Sequence, residues 1–389
     1  MTLRTLIGAA ATILLLAASA SAQTVKIGHI NTFSGGGAVF GKFAKDAIDL
    51  AVDHLGGKVG GLPVEVIYVD DQRKPDVGKQ LAKKLILQDK VDFVTGITWS
   101  NVLAAAQGEI RKSKAFGIIT NAGWSGMAGK QCADNIFTTS WNNDQTPEAM
   151  GKVLQDDGVD DVYLMAPNYQ AGKDMISGFK RYYKRKTVGQ TLVPLGHSDY
   201  AVEIATIRAA NPKAVFYFLP GGMGIAFAKQ WAAAGLQGKI GLYSVFSVDW
   251  LTLPALGKLA IGAFSTSFWS PDLPNEQNKR FVADFIKKYD YHPAMYAAQA
   301  YDMVFLVDSA VRAVKGDLSN RDGVRNALRA ANFKSVRGTF KYNTNHVPIQ
   351  NFYKREVVVG SDGKPMIVNR GVVLKDHKDS YYQDCKMKW

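Results

Sequence analysis

The chain has 389 residues, of which 47% are hydrophobic, and 47 Lys and Arg against 34 Asp and Glu give a formal net charge of +13. The apolar content excludes an intrinsically disordered chain, and two cysteines exclude a scaffold built on several disulfides. The length predicts two core-sized units or one long α/β barrel.

The N-terminal segment has the three parts of a secretory signal. Arg4 supplies a positive charge, residues 6–18 form an apolar run, and Ala20-Ser21-Ala22 is a small-residue cleavage site before Gln23. The alternative is a buried N-terminal helix. We predict a signal peptide over residues 1–22 and a periplasmic mature protein, because no later segment approaches the eighteen uninterrupted apolar residues typical of a membrane span.

Export places the two cysteines, Cys132 and Cys385, in an oxidising compartment, where disulfides form and persist. We therefore expect a disulfide that ties the C-terminal tail to a loop near residue 132. Two free, buried thiols are the alternative.

The first part of the mature chain alternates strands with helices. Strands are predicted at 25–30, 64–70, 91–95 and 116–120, and helices at 39–55, 76–88 and 101–112. In the second helix, Val77, Leu81 and Leu85 lie on one stripe. Such alternation predicts βαβ units and a parallel sheet covered by helices on both faces.

A second series follows Asn142-Asn143-Asp144. Its predicted helices are 145–156, 171–185, 199–209 and 223–234, and its strands are 161–166, 188–193, 214–219, 240–245 and 261–268. Helices at 275–288, 294–315 and 321–331 and hairpins over 338–374 complete the chain. The sequence thus predicts two doubly wound α/β lobes, and a ligand site where the carboxyl ends of their strands face a common cleft.

Residues with catalytic or metal-binding spacing are absent from the sequence. The six His and two Cys lack zinc spacing, and no G-x-S-x-G nucleophile motif occurs. Asp70-Asp71 follows a strand, but adjacent side chains point to opposite sides, so we interpret the pair as loop and capping groups. We expect no enzymatic activity, no metal and no cofactor.

The segment 180–186 is basic with interleaved tyrosines, a composition that nucleic-acid binding could use. On a helix these charges form an outer face, and export removes the partner. We expect no nucleic-acid partner.

Several strings in order resemble one known family over nearly the whole mature chain. They are Ile27-Gly28 with Ser34-Gly35 and Gly41, Tyr68-Val69-Asp70-Asp71, the run 94–100 ending in Thr98-Trp99-Ser100, the turn after Ile118-Ile119-Thr120, Gly222-Met223-Gly224 leading to Ala233-Ala234-Gly235-Leu236, and the run 296–302. The chain resembles the substrate-binding proteins of ABC importers of the branched-chain amino acid (Leu/Ile/Val-binding) type.

The resemblance implies the type I periplasmic binding protein fold, an α/β fold of two doubly wound lobes joined by three hinge crossings that closes on a ligand. The implied N-terminal lobe comprises residues 23–142 and 270–347, and the C-terminal lobe comprises residues 143–269 and 348–389.

The resemblance also implies ligand-contacting positions. Ser100 matches a serine whose hydroxyl and N–H hold the ligand carboxylate, although a plain helix N-cap is the alternative. Ala122, Gly123 and Trp124 match a second carboxylate-binding loop. The remaining implied site residues are the aromatics Phe40, Trp99, Tyr169 and Tyr296, together with Thr98 and Gly221.

Phe246 lies at or next to the position where amino-acid binders of the family place a carboxylate for the ligand ammonium. Because a buried, unpaired ammonium costs several kcal/mol, this difference argues against an α-amino acid. Asp249 is the nearby acid that could substitute. The aromatics predict a flat-walled pocket for a small carboxylate such as a benzoate or cinnamate derivative, unless several of them simply form core.

The expected function is capture of this ligand and delivery to an inner-membrane ABC permease by a monomeric protein. Three alternatives stay open at this point: a sensor that presents its closed state to a receptor kinase, a true branched-chain amino acid or amide binder, and an exported α/β enzyme.

Overall fold

The computed structural model describes residues 23–388. The predicted signal, residues 1–22, lies outside these residues. The first part of this chain forms a six-stranded sheet. The strands are β1 (Val25–Asn31), β2 (Lys58–Val59), β3 (Leu62–Asp70), β4 (Phe93–Gly96), β5 (Phe116–Ile119) and β6 (Ile136–Thr138), in the order β2-β3-β1-β4-β5-β6. All neighbours are parallel except β2 and β3. Val25, Ile27 and Ile30 of β1 are completely buried, as expected of a central parallel strand covered on both faces.

The helices that follow these strands are α1 (Ala38–His54), α2 (Pro75–Leu87), α3 (Ser100–Arg111) and the short α4 (Ser125–Ala128). In α1 the buried positions include Phe40, Phe43, Ala44 and Ala47, a spacing of three and four residues that directs one face to the sheet.

The second sheet contains the remaining strands: β7 (Val162–Pro167), β8 (Thr187–Val193), β9 (Ala214–Tyr217), β10 (Gly241–Val245), β11 (Phe264–Ser267), β12 (Lys341–Tyr342), β13 (Pro348–Val359) and β14 (Pro365–His377). Their order is β12-β13-β11-β10-β9-β7-β8, with β14 beside β13. Strands β7 to β11 pair in parallel, and β12 to β14 add antiparallel pairs.

The remaining helices are α5 (Gln145–Asp156), α6 (Gln170–Tyr182), α7 (Ala201–Ala210), α8 (Gly222–Ala233), α9 (Leu253–Leu256), α10 (Glu276–Tyr289), α11 (Met295–Ala313) and α12 (Arg321–Ala330). Helices α10 and α11 pack against α1, and α12 packs against α11. The chain therefore enters the second lobe after β6, returns after β11, and leaves again after α12. Within residues 23–388, no helix is both long and apolar enough to span a membrane.

We propose that the lobes have the bounds expected from the sequence. The division of the strands between the two sheets supports these bounds with one exception. Strand β12 lies within 270–347 but pairs with β13, through Tyr342 opposite Pro348. The reason is that β12 pairs with the first residues of β13, which precede the part of β13 that pairs with β11.

The expected disulfide is confirmed. Cys132, between α4 and β6, is bonded to Cys385 in the tail beyond β14, with their Cα atoms 5.7 Å apart. The tail is also held by hydrogen bonds, because Tyr381 donates from its hydroxyl to Asp144 Oδ2 at 2.9 Å. The C-terminal segment is thus fastened both to the first lobe and to the start of α5.

Candidate functional site

A cavity lies between the two sheets, where the carboxyl ends of their parallel strands face each other. The first lobe lines it with Phe40, Thr98, Trp99, Ser100, Asn121, Ala122 and Tyr296, and the first crossing contributes Trp141 and Asn143. The second lobe contributes Tyr169, Ala171, Met175, Phe218, Pro220 and Phe246.

The position of these residues follows from the strand ends. Trp99 and Ser100 come just after β4, Tyr169 just after β7, Phe218 directly after β9, and Phe246 directly after β10. In a doubly wound sheet these ends share one edge, so residues distant in sequence converge on one space.

Aromatic rings form a continuous series of contacts around the cavity. Neighbouring ring centroids lie between 4.7 and 6.4 Å apart, the range of favourable aromatic pairs, in the order Tyr296, Phe40, Trp99, Tyr169, Phe218, Phe246 and Trp141. The contact between Trp99 and Tyr169 joins the two lobes. The walls of the cavity are therefore mainly flat and apolar.

Ser100 provides a polar end to this aromatic cavity. It is the first residue of α3, and the N-cap residue Trp99 makes no capping hydrogen bond through its side chain. The first N–H groups of a helix lack intrahelical partners and favour an anion. The Oγ of Ser100 accepts a hydrogen bond from Asn143 Nδ2 at 3.0 Å.

The amide of Asn143 is held in place from behind by Asp174. Asn143 Nδ2 donates to Asp174 Oδ2 at 2.9 Å, and Gln170 Nε2 donates to Asp174 Oδ1 at 2.8 Å. Burial raises the pKa of Asp174, while these hydrogen bonds lower it. The arrangement directs the amide NH₂ of Asn143 toward Ser100.

The indole of Trp99 is fixed by a relay of hydrogen bonds. Trp99 Nε1 donates to Thr32 Oγ1 at 2.8 Å, and the Thr32 hydroxyl donates to Asp71 Oδ1 at 2.6 Å. Burial raises the pKa of Asp71, and the bond from Thr32 lowers it. Asp71, interpreted from the sequence as a loop residue, thus orients a wall of the cavity.

The lining contains no charged side chain. Phe246, predicted to lie at or next to the acid position of the family's amino-acid binders, stacks on Trp141 with ring centroids 4.7 Å apart. Asp249 is outside the lining, and its Oδ2 lies 2.9 Å from Arg355 Nη2, with both side chains almost completely buried. Asp249 therefore forms an ion pair with Arg355 and does not line the cavity.

Eight of the eleven predicted ligand-contacting residues lie in the lining: Phe40, Thr98, Trp99, Ser100, Ala122, Tyr169, Phe246 and Tyr296. The N–H of Ala122 donates to the carbonyl of Ile97 at 2.9 Å. Ala122 therefore contributes its surface to the cavity, not its amide.

Gly123, Trp124 and Gly221 are not in the lining. The carbonyl of Gly123 accepts the N–H of Asn143 at 2.7 Å, so the glycine packs beneath the crossing. The ring of Trp124 lies over Gly126, where it would be 2.4 Å from an added Cβ. Gly221 approaches the ring of Phe40 closely, since a Cβ there would lie 3.0 Å from it.

The lining also includes residues that the sequence did not single out. Phe218 lies near the carboxyl end of the predicted strand 214–219, so the strand-end rule applied to Tyr169 would have found it. Trp141 and Asn143 belong to the first crossing, and only the docking of the two lobes places them at the cavity. The other additional residues are Asn121, Ala171, Met175 and Pro220.

Within residues 23–388, no group of three or more His, Cys, Asp or Glu side chains is arranged to hold a metal ion. Since the cavity wall is uncharged, what it offers a ligand is flat apolar surface, hydroxyl and amide hydrogen bonds, and a helix N-terminus.

Comparison with known proteins gives relatives over nearly the whole chain. The family model described as periplasmic binding protein matches residues 24–364. A Leu/Ile/Val-binding protein homolog 6 from Brucella melitensis is 29% identical over 363 residues, covering 90% of this chain and 91% of that protein.

Two solved structures extend this similarity. A solute-binding protein of an ABC transporter from R. palustris, in complex with benzoate, has a TM-score of 0.88 and 32% identity, covering 94% of this chain and all of that one. A solute-binding protein of an ABC transporter from Rhodopseudomonas palustris BisB5, in complex with 3,4-dihydroxy benzoic acid, has a TM-score of 0.85 and 30% identity, covering 92% and 99%.

These matches confirm the fold expected from the sequence, the type I periplasmic binding fold with two lobes. The similar proteins named here are solute-binding proteins of transporters or Leu/Ile/Val-binding homologues. With a family model that spans residues 24–364 and two α/β lobes enclosing an aromatic cavity, the chain belongs to the periplasmic binding protein family.

Proposed function

We propose that the protein is the solute-binding component of an ABC importer and captures a small aromatic carboxylate between its lobes. The observation that carries this proposal is the cavity itself, which combines a series of aromatic rings with an uncapped helix N-terminus and no charged lining side chain. The benzoate and 3,4-dihydroxy benzoic acid complexes of the two similar solute-binding proteins support it.

In this proposal the carboxylate of the ligand lies at the start of α3. Ser100 uses Oγ as the acceptor for Asn143, so its hydroxyl proton is directed to another acceptor, the ligand carboxylate. The N–H groups of the first helical turn add further donors. Hydrogen bonds to an ionised group are stronger than neutral ones, which lets an anion bind without a salt bridge.

The aromatic ring of the ligand contacts the aromatic walls. Trp99 and Tyr169 approach from opposite lobes, and Phe246 and Trp141 form a stacked pair at the crossing. Offset and edge contacts to such rings stabilise an aromatic guest beyond the area it buries. Ligand binding would therefore hold the lobes together, because the guest contacts both.

An α-amino acid fits this cavity poorly. Its ammonium group would meet Phe246 where the family's amino-acid binders have an acid, and Asp249 is paired with Arg355. Because an unpaired buried charge costs several kcal/mol, the cavity discriminates against leucine and valine.

The cellular setting is also part of the proposal. Residues 1–22 are a cleaved signal, the mature protein acts in the periplasm as a monomer, and its closed form delivers the ligand to an inner-membrane ABC permease. Membership of the periplasmic binding protein family supports this setting.

Isothermal titration calorimetry on the purified mature chain tests the ligand class. We expect benzoate or a hydroxylated benzoate to bind saturably, and leucine and valine to produce no binding heat. Binding of leucine or valine without any binding of aromatic carboxylates would overturn the proposal. Uptake of labelled benzoate by cells with and without the protein tests the transport role.

A further inference from the structure

Arg73 lies beside the cavity although it is outside its lining. It is in the loop between β3 and α2, and its side chain is half-buried. The guanidinium carbon lies 5.6 Å from the centroid of the Trp99 ring, a cation–π distance. Trp99 is a wall of the cavity, so this places a positive charge next to a lining that carries none.

The backbone that carries Arg73 is held in an uncommon conformation. Gln72 and Arg73 both have positive φ angles, 52° and 61°, which favour glycine over residues with a side chain. Asp70 Oδ1 accepts the N–H of Gln72 at 2.9 Å, and Asp71 Oδ1 accepts the N–H of Arg73 at 2.8 Å. Strained backbone that its surroundings hold so closely is typical of functional positions.

One carboxylate fixes both partners of the cation–π contact. The same Oδ1 of Asp71 that accepts the Arg73 N–H also accepts the hydroxyl of Thr32, which in turn receives the indole N–H of Trp99. The guanidinium and the indole are therefore positioned relative to one another by a buried group of the first lobe.

The guanidinium of Arg73 also reaches the second lobe. Gly196, in the loop between β8 and α7, has a φ of 94°, and a Cβ on it would lie 3.5 Å from Arg73 Nη2. Arg73 thus packs against backbone across the cleft. Within residues 23–388 it makes no ion pair with a carboxylate, so its charge is not neutralised by a direct partner.

The charge of Arg73 also acts on Tyr169, the lining residue that faces Trp99 from the second lobe. Burial raises the pKa of the Tyr169 hydroxyl and Asp174 raises it further, whereas Arg73 lowers it. Since Tyr169 is a lining residue, both charges act at the cavity wall, where Arg73 opposes the larger effect of Asp174. A field from a nearby unpaired cation favours an anionic guest.

We propose that Arg73 is a specificity-determining residue that makes the cavity select a carboxylate over an uncharged ligand of the same shape. Its guanidinium, which lies against the Trp99 indole and close to Gly196, supplies the positive potential that the lining lacks. This inference rests on the proposed function, because it requires an anionic ligand.

The test compares the affinities of benzoate and its neutral isostere benzamide in low-salt buffer, by calorimetry. For Arg73→Gln we expect benzoate to bind roughly tenfold more weakly, the size expected for one charge at intermediate dielectric, with benzamide affinity unchanged. Arg73→Lys should keep most of the preference for benzoate, because it retains the charge but not the planar group. Added salt should reduce the difference between wild type and Arg73→Gln.

Lys74→Gln is the matched control, because it removes the same charge from the neighbouring, exposed residue. It should leave both affinities unchanged. Equal losses of benzoate and benzamide binding in Arg73→Gln, or no loss of either, would overturn the inference and leave the proposed function standing. A wild type that binds neither compound nor any other aromatic carboxylate would overturn both.

Discussion

Asn143 donates a hydrogen bond from Nδ2 to Ser100 Oγ at 3.0 Å, which links the first crossing between the lobes to the N-terminus of α3. The same amide donates to Asp174 of the second lobe at 2.9 Å. The proposed carboxylate site is therefore built from the first lobe, the crossing and the second lobe together. Its geometry depends on how the lobes are docked.

Replacement of Ser100 tests the carboxylate site. Ser100→Ala removes the hydroxyl donor and should weaken benzoate binding by about 1.5–3 kcal/mol, the usual contribution of a hydrogen bond to a charged group. Calorimetric titration measures the change. Ser177→Ala, on an exposed position of α6, should bind benzoate as the wild type does. Equal affinities of Ser100→Ala and wild type would contradict the assignment.

Replacement of Phe246 tests the aromatic wall. Phe246→Leu removes the ring that stacks on Trp141 at 4.7 Å and should weaken aromatic acid binding by about 0.5–1.5 kcal/mol. Phe264→Leu is the control, since Phe264 stacks on Tyr243 away from the cavity. If both variants lose the same affinity, measured by titration with benzoate, Phe246 has no special part in ligand binding.

The buried pair of Asp249 and Arg355 predicts strong coupling in stability. Asp249→Leu leaves a buried arginine without its carboxylate and should lower the free energy of unfolding by about 3–5 kcal/mol. The double variant with Arg355→Met should recover most of that loss, because no uncompensated charge remains. Urea denaturation of the wild type, both single variants and the double variant completes the cycle. Simple additivity of the two single effects would show that the pair is not coupled.

The pH dependence of stability is predicted from His29. Burial lowers the pKa of this histidine to about 3, with Asp49 raising it in part, and its Nδ1 lies 2.9 Å from Thr95 Oγ1. The folded state thus keeps His29 neutral, whereas the unfolded chain takes up a proton near pH 6.5. The stabilisation is complete above pH 6.5 and is lost as pH falls toward 3.

His29→Gln should reduce the slope of unfolding free energy against pH, between pH 6 and 4, by up to about 1.4 kcal/mol per pH unit. Asp144 changes the pH dependence of stability in the opposite direction. Burial raises its pKa to about 7, although Arg181 lowers it, so Asp144 gains a proton more readily in the folded state. Comparing wild type with His29→Gln removes this common contribution. Identical slopes, from urea denaturation at each pH, would refute the prediction.

Most elements of the fold were predictable from local patterns. Helix α1 was expected at 39–55 and spans Ala38–His54, because its apolar spacing marks the face that packs on the sheet. Strand β6 was not predicted, since three residues carry too little periodicity to distinguish a strand from a loop. Helix α6 ends at Tyr182, three residues before the predicted end, because Tyr183 is extended and its hydroxyl donates to the carbonyl of Val159.

The sequence by itself determined the alternation of strands and helices, and hence that polar and aromatic residues at strand ends converge on one cleft. Through Phe246, it also predicted that the acid of the family's amino-acid binders is missing. These features are local, because hydrophobic periodicity and turn residues act within a few positions.

The tertiary structure alone decided which distant groups become partners. Asp249 could be assigned neither to a ligand nor to the fold until the sheet order placed β13, with Arg355, close to the loop after β10. Likewise, Asp71 was interpreted from the sequence as a loop residue and Arg73 was not singled out, and only the packing of their loop against Trp99 and Gly196 brings them to the cleft. Such partners depend on lobe docking and strand order, which long-range contacts determine and no local pattern encodes.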